Sequence, residues 1–292
     1  MTVQEINKKP IWEIIRPIEE LVSETKKLIK SNNLLSTFDE LKHNILNTSS
    51  EIVFEPKEHR YFYKGEECMA VSHVVDLFVQ ESDFNTIAQN YVKKHNLPIS
   101  WQRLRQIWGL KANNSTTNGT FVHQYGEDLN HICNDELDKA ALKDWCLVNG
   151  YYYPVHPKSV AIYKYFEYLL ANKEVPFLAE IKLILKEHFI TGTFDQLVWS
   201  VKENGFIMRD YKTNEVLVKD FKKPMKSPFE LYNDEALSHY IIQQNIYSLM
   251  LQEIGIKVLR KELVWLKDNE TFELIKLPDV ENLVAKGIES LY

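Results

Sequence analysis

Cysteine is scarce in this chain: Cys68, Cys133 and Cys146 are the three in 292 residues, an odd number with no Cys-x-x-Cys pair. That pattern excludes a disulfide framework and a thiolate zinc site. No run of about 18 apolar residues occurs, so neither a spanning helix nor a membrane partner is expected. Met1-Thr2-Val3-Gln4-Glu5 lacks a basic segment leading into an apolar one, which argues against a secretory signal and for a cytoplasmic protein. A Gly-x-x-x-x-Gly-Lys-Ser/Thr loop is missing too, so a phosphate-loop ATPase is poorly supported and any motor would be a separate chain. Positive charge is not in excess: Lys and Arg number 35 against 41 Asp and Glu, a net charge of −6. This argues against a protein that coats nucleic acid through overall charge.

Hydrophobic residues make up 45% of the chain and aromatic residues 12%, enough for one large core or a core with a small appended domain. Residues 11 to 46 carry helical spacing, with Ile11, Ile14, Ile15, Ile18, Leu21 and Val22 in one stripe and Leu28, Ile29, Leu34 and Leu35 in a second. Ser36-Thr37 caps a further helix through Phe38, Leu41 and Ile45, and Asn47-Thr48-Ser49-Ser50 reads as a joint. Residues 1–50 are thus an N-terminal helical extension, either a layer on the core or an interaction arm. Ile52 to Glu55 and Arg60 to Tyr63 then read as a hairpin around Pro56-Lys57-Glu58-His59, with Gly65 at a second turn. Residues 83 to 112 read as helical, and Asn113 to Thr120 as a polar loop before the next helix.

The densest chemistry lies between Glu180 and Lys212. Ile181 to Leu185 is apolar, and Phe194 to Val201 and Phe206 to Tyr211 flank the turn Lys202-Glu203-Asn204-Gly205. Successive strand residues alternate faces and the turn keeps parity, so Asp195, Asp210 and Lys212 are expected on one face, outside the apolar core. Two carboxylates and an ammonium held together suit a divalent cation, Mg²⁺ or Mn²⁺, with the Lys beside it. The same residues are compatible with cross-strand ion pairs on a solvated face.

Other candidates flank this stretch. His123 and Glu127 lie four apart, as a metal ligand and a carboxylate partner behind it would, or as a surface pair. Gln243 and Tyr247 share a face of the periodic helix from Glu235 to Glu253, with the adjacent Gln244 about 100° away. Lys219, Lys222, Lys223 and Lys226 form either a basic groove or a solvated loop. Arg103 and Arg105, among Tyr91, Trp101 and Trp108, are candidate phosphate contacts, while the tryptophans are read as core. Tyr151 to Pro157 is a turn before a packing helix from Ser159 to Leu170, and Val258 to Leu266 with Thr271 to Leu277 form a closing hairpin before a last helix.

Gly192-Thr193-Phe194-Asp195, Asp210-Tyr211-Lys212-Thr213 and Gln243-x-x-x-Tyr247, with Gly119-Thr120-Phe121-Val122-His123 upstream, resemble the RecB-like branch of the PD-(D/E)XK nuclease superfamily. The motifs follow the family's order over roughly residues 60 to 265. Val71-Ser72-His73-Val74-Val75 is similar to the Ser-Val-Thr segment that opens many such domains, but His73 departs from it and is left outside the site. The resemblance implies an α/β fold with a restriction-endonuclease-like core, a central mixed β-sheet flanked by helices, over residues 51–292 (core about 115–277). It further implies metal binding by His123, Asp195, Asp210, the Tyr211 carbonyl and Glu180, with Lys212 orienting or deprotonating water and Gln243 and Tyr247 holding phosphate or the Lys. Some relatives carry an iron-sulfur cluster on four Cys; three cannot supply it, so no cluster is expected. The implied activity is Mg²⁺- or Mn²⁺-dependent DNA hydrolysis, an exonuclease on single-stranded or duplex ends in recombination, repair or phage DNA processing. A recombinase, a single-strand-binding protein or a helicase is the partner class implied, and a homo-oligomer is left open. A structure-specific endonuclease and a nuclease-fold binding module without cleavage are the competing readings.

Overall fold

The computed structural model describes residues 1–8, 18–58, 60–134, 156–219 and 223–292. The expectations on Ile11, Ile14 and Ile15, the side chain of Ile18, His59, Cys146, the turn at 151–155 and Lys222 lie outside the described residues.

Period-2 apolar patterning builds the sheet that the sequence predicts, with longer strands. β1 (Ile52–Glu55), β2 (Arg60–Tyr63) and β3 (Glu66–Ala70) form a meander whose second turn places Lys64 and Gly65 at positive φ. β4 (Glu174–Leu185), β5 (Ile190–Ser200), β6 (Gly205–Lys212), β7 (Val258–Leu266) and β8 (Phe272–Lys276) follow. Among the described residues they make one eight-stranded mixed sheet in the order β1-β2-β3-β5-β6-β7-β8, with β4 against β5. The β3/β5 and β6/β7 pairs are parallel and the others antiparallel. β4 begins seven residues before the apolar run at Ile181 because Pro176 sits at a register shift, where a strand tolerates a missing N–H.

Helices cover both faces. They are α1 (Val3–Lys8), α2 (Ile18–Ser31), α3 (Leu35–Ser50), α4 (Val71–Leu77), α5 (Phe84–Lys94), α6 (Trp101–Asn134), α7 (Pro157–Ala171), α8 (Ala236–Glu253) and α9 (Glu281–Glu289). Phe206 and Met208 of β6 enter one core with Ile242, Ile246 and Met250 of α8. Ile207 and Tyr211, on the alternate parity, enter a second core with Val122, Leu129 and Ile132 of α6 and Ile162 and Phe166 of α7. No described helix is long and apolar enough to cross a membrane.

Three local expectations are corrected. Asn113 to Thr120 is not a loop: α6 runs unbroken for 34 residues, and the hydroxyls of Thr116, Thr117 and Thr120 donate back to the carbonyls of Ala112, Asn113 and Thr116. Ser36 and Thr37 lie inside α3, whose cap is Leu34 without a side-chain bond, and Asn47 to Ser50 complete that helix. The N-terminal segment is a layer on the core: Ile6, Leu21 and Val22 join one apolar cluster, and Ile29, Leu34, Phe38 and Ile45 the other.

The feature that positions the site is a fork. β4 pairs β5 along its length, so β3 and β6 share the opposite edge of β5. β3 pairs there at Ile190 and Thr191, and β6 from Gln196 to Ser200, which leaves Gly192 to Asp195 without a ladder partner on that edge. Both β4 and β5 shift parity at this place. Leu178 and then Ile181, Leu183 and Leu185 face the same core, as do Phe194 and then Leu197, a three-residue step across Glu180 and Asp195 in each strand. Glu180 makes the step with a left-handed backbone, φ 51°.

Candidate metal centre and its cavity

A cavity of about 1050 Å³ opens at the fork, lined among others by His123, Glu180, Gly192, Asp195, Gln243 and Tyr247. Each residue reaches it from a different element. Glu180 and Asp195 fall opposite one another in the β4/β5 register, at the shared parity step. A left-handed non-glycine residue costs about 1–3 kcal/mol, and here it turns a carboxylate towards a second one. His123 comes from α6, where Gly126 leaves room for the Tyr211 ring; a Cβ there would stand 2.7 Å from that ring. Gly192 does the same for Tyr247, whose hydroxyl would lie 2.8 Å from an added Cβ.

One ligand atom each from His123, Glu180 and Asp195 lies within 4.8 Å of the other two. His123 Nδ1 is 3.2 Å from Asp195 Oδ2, close to the roughly 3 Å that separates adjacent ligands on an ion with bonds of about 2.1 Å. Asp195 also accepts the Tyr211 main-chain N–H at 2.6 Å. In an extended strand the N–H and C=O of one residue point to the same edge, so the Tyr211 carbonyl faces the gap as well. Two hard oxygens and an imidazole suit Mg²⁺ or, better with the nitrogen, Mn²⁺.

The electrostatics suit a cation. Burial, then the charges of Asp195 and Glu127, push the Glu180 carboxyl from 4.5 up to about 8. Burial and Asp195 push Asp210 up to about 6 against the pull of Lys212. Asp195 is itself driven upward by burial, but His123, Lys212 and the Tyr211 N–H outweigh that and hold it ionised below its ordinary value. Burial lowers the His123 pKa, and the neighbouring Asp195 carboxylate more than reverses this, so the net direction is up. Protonation of Glu180 relieves the crowding of negative charge, as a cation would.

Asp210 is 2% exposed, so the expectation that it lies outside the core is corrected. Its carboxylate is turned to the Lys212 ammonium and stands apart from the three-residue ligand group. Lys212 also lies 4.3 Å over the Tyr240 ring. Burial opposes its charge, but Asp210 and Asp195 raise its pKa overall, which keeps it an ammonium. Gln243 and Tyr247, one turn apart on α8, both line the cavity wall. Gln244 is fully buried, with neither amide atom bonded.

The remaining candidates are not gathered here. Glu127 bonds Gln124 at 3.0 Å and His131 at 3.4 Å rather than His123, although its charge reaches Glu180. Lys223 binds the Gln80 carbonyl, Ser82 and Asp234, and Lys226 binds the Leu77 carbonyl, so both staple the loop after α4. The Lys219 main-chain N–H donates to Glu235. Arg103 bonds Gln106, and Arg105 sits 5.2 Å over Phe84. None of these lines the cavity; its cations are Lys111, Lys158 and Lys182, which sequence reasoning passed over. For Lys182 a signal existed, because Glu180-x-Lys182 repeats the spacing of Asp210-x-Lys212.

Behind β6, Arg209 is fully buried between Glu174 (2.6 Å) and Glu262 (2.8 Å), with the Tyr165 hydroxyl at 3.3 Å. Nothing local in the sequence announces this network, whose members are far apart in the chain. Compared with protein-family models and with curated proteins, the chain matches none.

Proposed function

We propose that this chain is a metal-dependent deoxyribonuclease of the RecB-like PD-(D/E)XK kind, with a restriction-endonuclease-like core, acting as an exonuclease on DNA ends. The observation that carries the reading is convergence. His123, Glu180, Asp195 and the Gln243/Tyr247 pair, drawn from two strands and two helices, line one cavity at the fork, with the Asp210/Lys212 pair on the next strand. Neither a solvated ion-pair face nor an ordinary core accounts for three carboxylates placed so that each resists the ionisation of another.

His123, Glu180 and Asp195 are the residues that would hold Mg²⁺ or Mn²⁺. The ion, when bound, supplies Lewis-acid charge at the phosphate and a lower pKa for water. Lys212, kept protonated by Asp210 and Asp195, acts as a donor that orients the attacking water or a phosphate oxygen rather than as the resting base. Tyr247 and Gln243 supply a hydroxyl and an amide to the non-bridging oxygens. To hold a cation Glu180 and His123 would have to be deprotonated, so metal affinity would strengthen as pH rises.

The test is incubation with end-labelled linear single-stranded, linear duplex and closed circular DNA, with Mg²⁺, Mn²⁺ or EDTA, beside Asp195→Ala. Metal-dependent loss of linear DNA alone, absent in the variant, is expected. Cutting of circles would make it an endonuclease. DNA binding without cleavage in any condition would replace the nuclease reading by a binding module.

A further inference from the structure

We propose that one exposed stripe of α6 is a track for single-stranded nucleic acid leading into the cavity, an inference that rests on the nuclease reading and names its substrate class. From Phe84 to Gly126 the sequence contains no Asp or Glu, although the chain carries 41 of them. The same stretch carries Lys93, Lys94, Arg103, Arg105 and Lys111. In a chain of net charge −6, α5 and most of α6 are therefore a locally cationic unit.

At 100° per residue, Arg103, Ile107, Leu110, Lys111, Asn114 and Asn118 fall in one sector of about 100°. All six are exposed, and Lys111 and Asn118 line the cavity. Arg103 to Asn118 spans about 22 Å of helix, so the stripe starts well outside the cavity and reaches its wall at Lys111 and Asn118, with His123 farther along α6 on the side turned to the metal centre. Ile107 and Leu110, between the two cations, are 42% and 59% exposed. A duplex offers phosphates and groove edges to such a surface. An unpaired strand also offers base faces, which cover the apolar side chains while its phosphates meet Arg103 and Lys111. Lys111 is paired at 2.9 Å with Glu215, another cavity residue, but both side chains are about two-thirds exposed (64% and 65%). Water screens such a pair, and a phosphate can take the carboxylate's place.

The experiment uses the full chain carrying Asp195→Ala, in EDTA, with fluorescent oligothymidylates of about 4 and about 16 nucleotides, the range of single-strand site sizes. A duplex and poly-glutamate serve as competitors. Arg103→Glu is compared with Lys286→Glu, the same charge change on α9. The longer strand is expected to bind more tightly than the shorter. Arg103→Glu is expected to weaken the longer by about tenfold and to flatten the salt dependence by about 0.7 in log–log slope, with Arg103→Gln giving a smaller drop and Lys286→Glu neither. Equal losses in both charge variants, equal binding of both lengths, or displacement by duplex or poly-glutamate as readily as by single strand would overturn the track. Wild-type cleavage with Mn²⁺ separates the two ideas: cutting without Arg103-dependent binding sinks the track alone, and Arg103-dependent binding without cutting sinks the nuclease reading alone.

Discussion

Replacing Glu180 by Gln asks whether its carboxylate is there for a cation. In the metal-free protein, burial and the charges of Asp195 and Glu127 raise this carboxyl from 4.5 to about 8, so at pH 7 it is mostly protonated. Gln is close in shape to that neutral form, and in EDTA at pH 7 Glu180→Gln should melt near the wild-type temperature. A raised carboxyl pKa means that the native state keeps a proton the unfolded state releases. The stability it contributes is full below pH 4.5 and is lost as pH rises towards about 8; the variant should flatten that fall. Mn²⁺ should separate the two proteins. At a hundred times Kd the ion stabilises wild type by about 2.7 kcal/mol, or roughly 5–10 °C at 2–4 °C per kcal/mol. Outer-sphere partners alone are worth about 10–100-fold in metal affinity, and a direct ligand is worth at least that. The same Mn²⁺ is then about 1–10 times Kd for Glu180→Gln and stabilises it by about 0.4–1.4 kcal/mol. Thermal melts at pH 6, 7 and 8, with EDTA and with Mn²⁺, measure both effects. An Mn²⁺ shift equal to that of wild type would refute the metal centre as drawn.

Lys212→Ala should abolish cleavage and, because it strands the buried Asp210 carboxylate, lower stability by up to about 3–5 kcal/mol in denaturant melts; Asp210→Asn with Lys212→Met should recover much of the stability and none of the activity. A fully active Lys212→Ala would sink the mechanism. Gly192→Ala brings a Cβ to 2.8 Å from the Tyr247 hydroxyl and 3.1 Å from Val71, so it should cost about 1–3 kcal/mol and slow turnover. Adding Tyr247→Phe should recover part of that stability, and strict additivity in the double-mutant cycle would show that the two do not clash. Arg209→Met leaves the buried Glu174 and Glu262 with Arg260 alone, at 3.4 and 2.8 Å, and should cost up to about 3–5 kcal/mol, with Mn²⁺ affinity per folded molecule unchanged; a wild-type melting curve would contradict the buried network.

Much of this was local and therefore legible. The β1/β2 hairpin and the turn at residues 202–205 follow from apolar strand segments flanking polar turn residues, while the strand from Val258 to Leu266 and the helix through Gln243 and Tyr247 are apolar segments of the right length that the fold buries on more than one side, so their existence was legible but not a single buried face. Alternation also put Asp210 and Lys212 together, because β6 is regular throughout. Where a helix was misread as a loop, at Asn113 to Thr120, local propensity lost to the continuity of a helix whose following turns, from Val122 to Cys133, pack in the core, and the Thr hydroxyls within it bond back to carbonyls four residues earlier.

What the sequence by itself determined is which residues could carry charge chemistry and which strand face each would take as long as the pleat stays regular. Only the tertiary structure decided that the pleat breaks at Glu180 and Asp195 together, that β3 and β6 leave the edge of β5 open there, and that α6 brings His123 to the opening. It also decided that Lys223 and Lys226 bind loop carbonyls instead of lining the cavity, and that Arg209 sits between two glutamates from distant strands. The physical reason is common to all of these. A parity step, an open edge and a buried ion pair each depend on groups remote in the chain, and no periodicity within one segment encodes which remote group arrives.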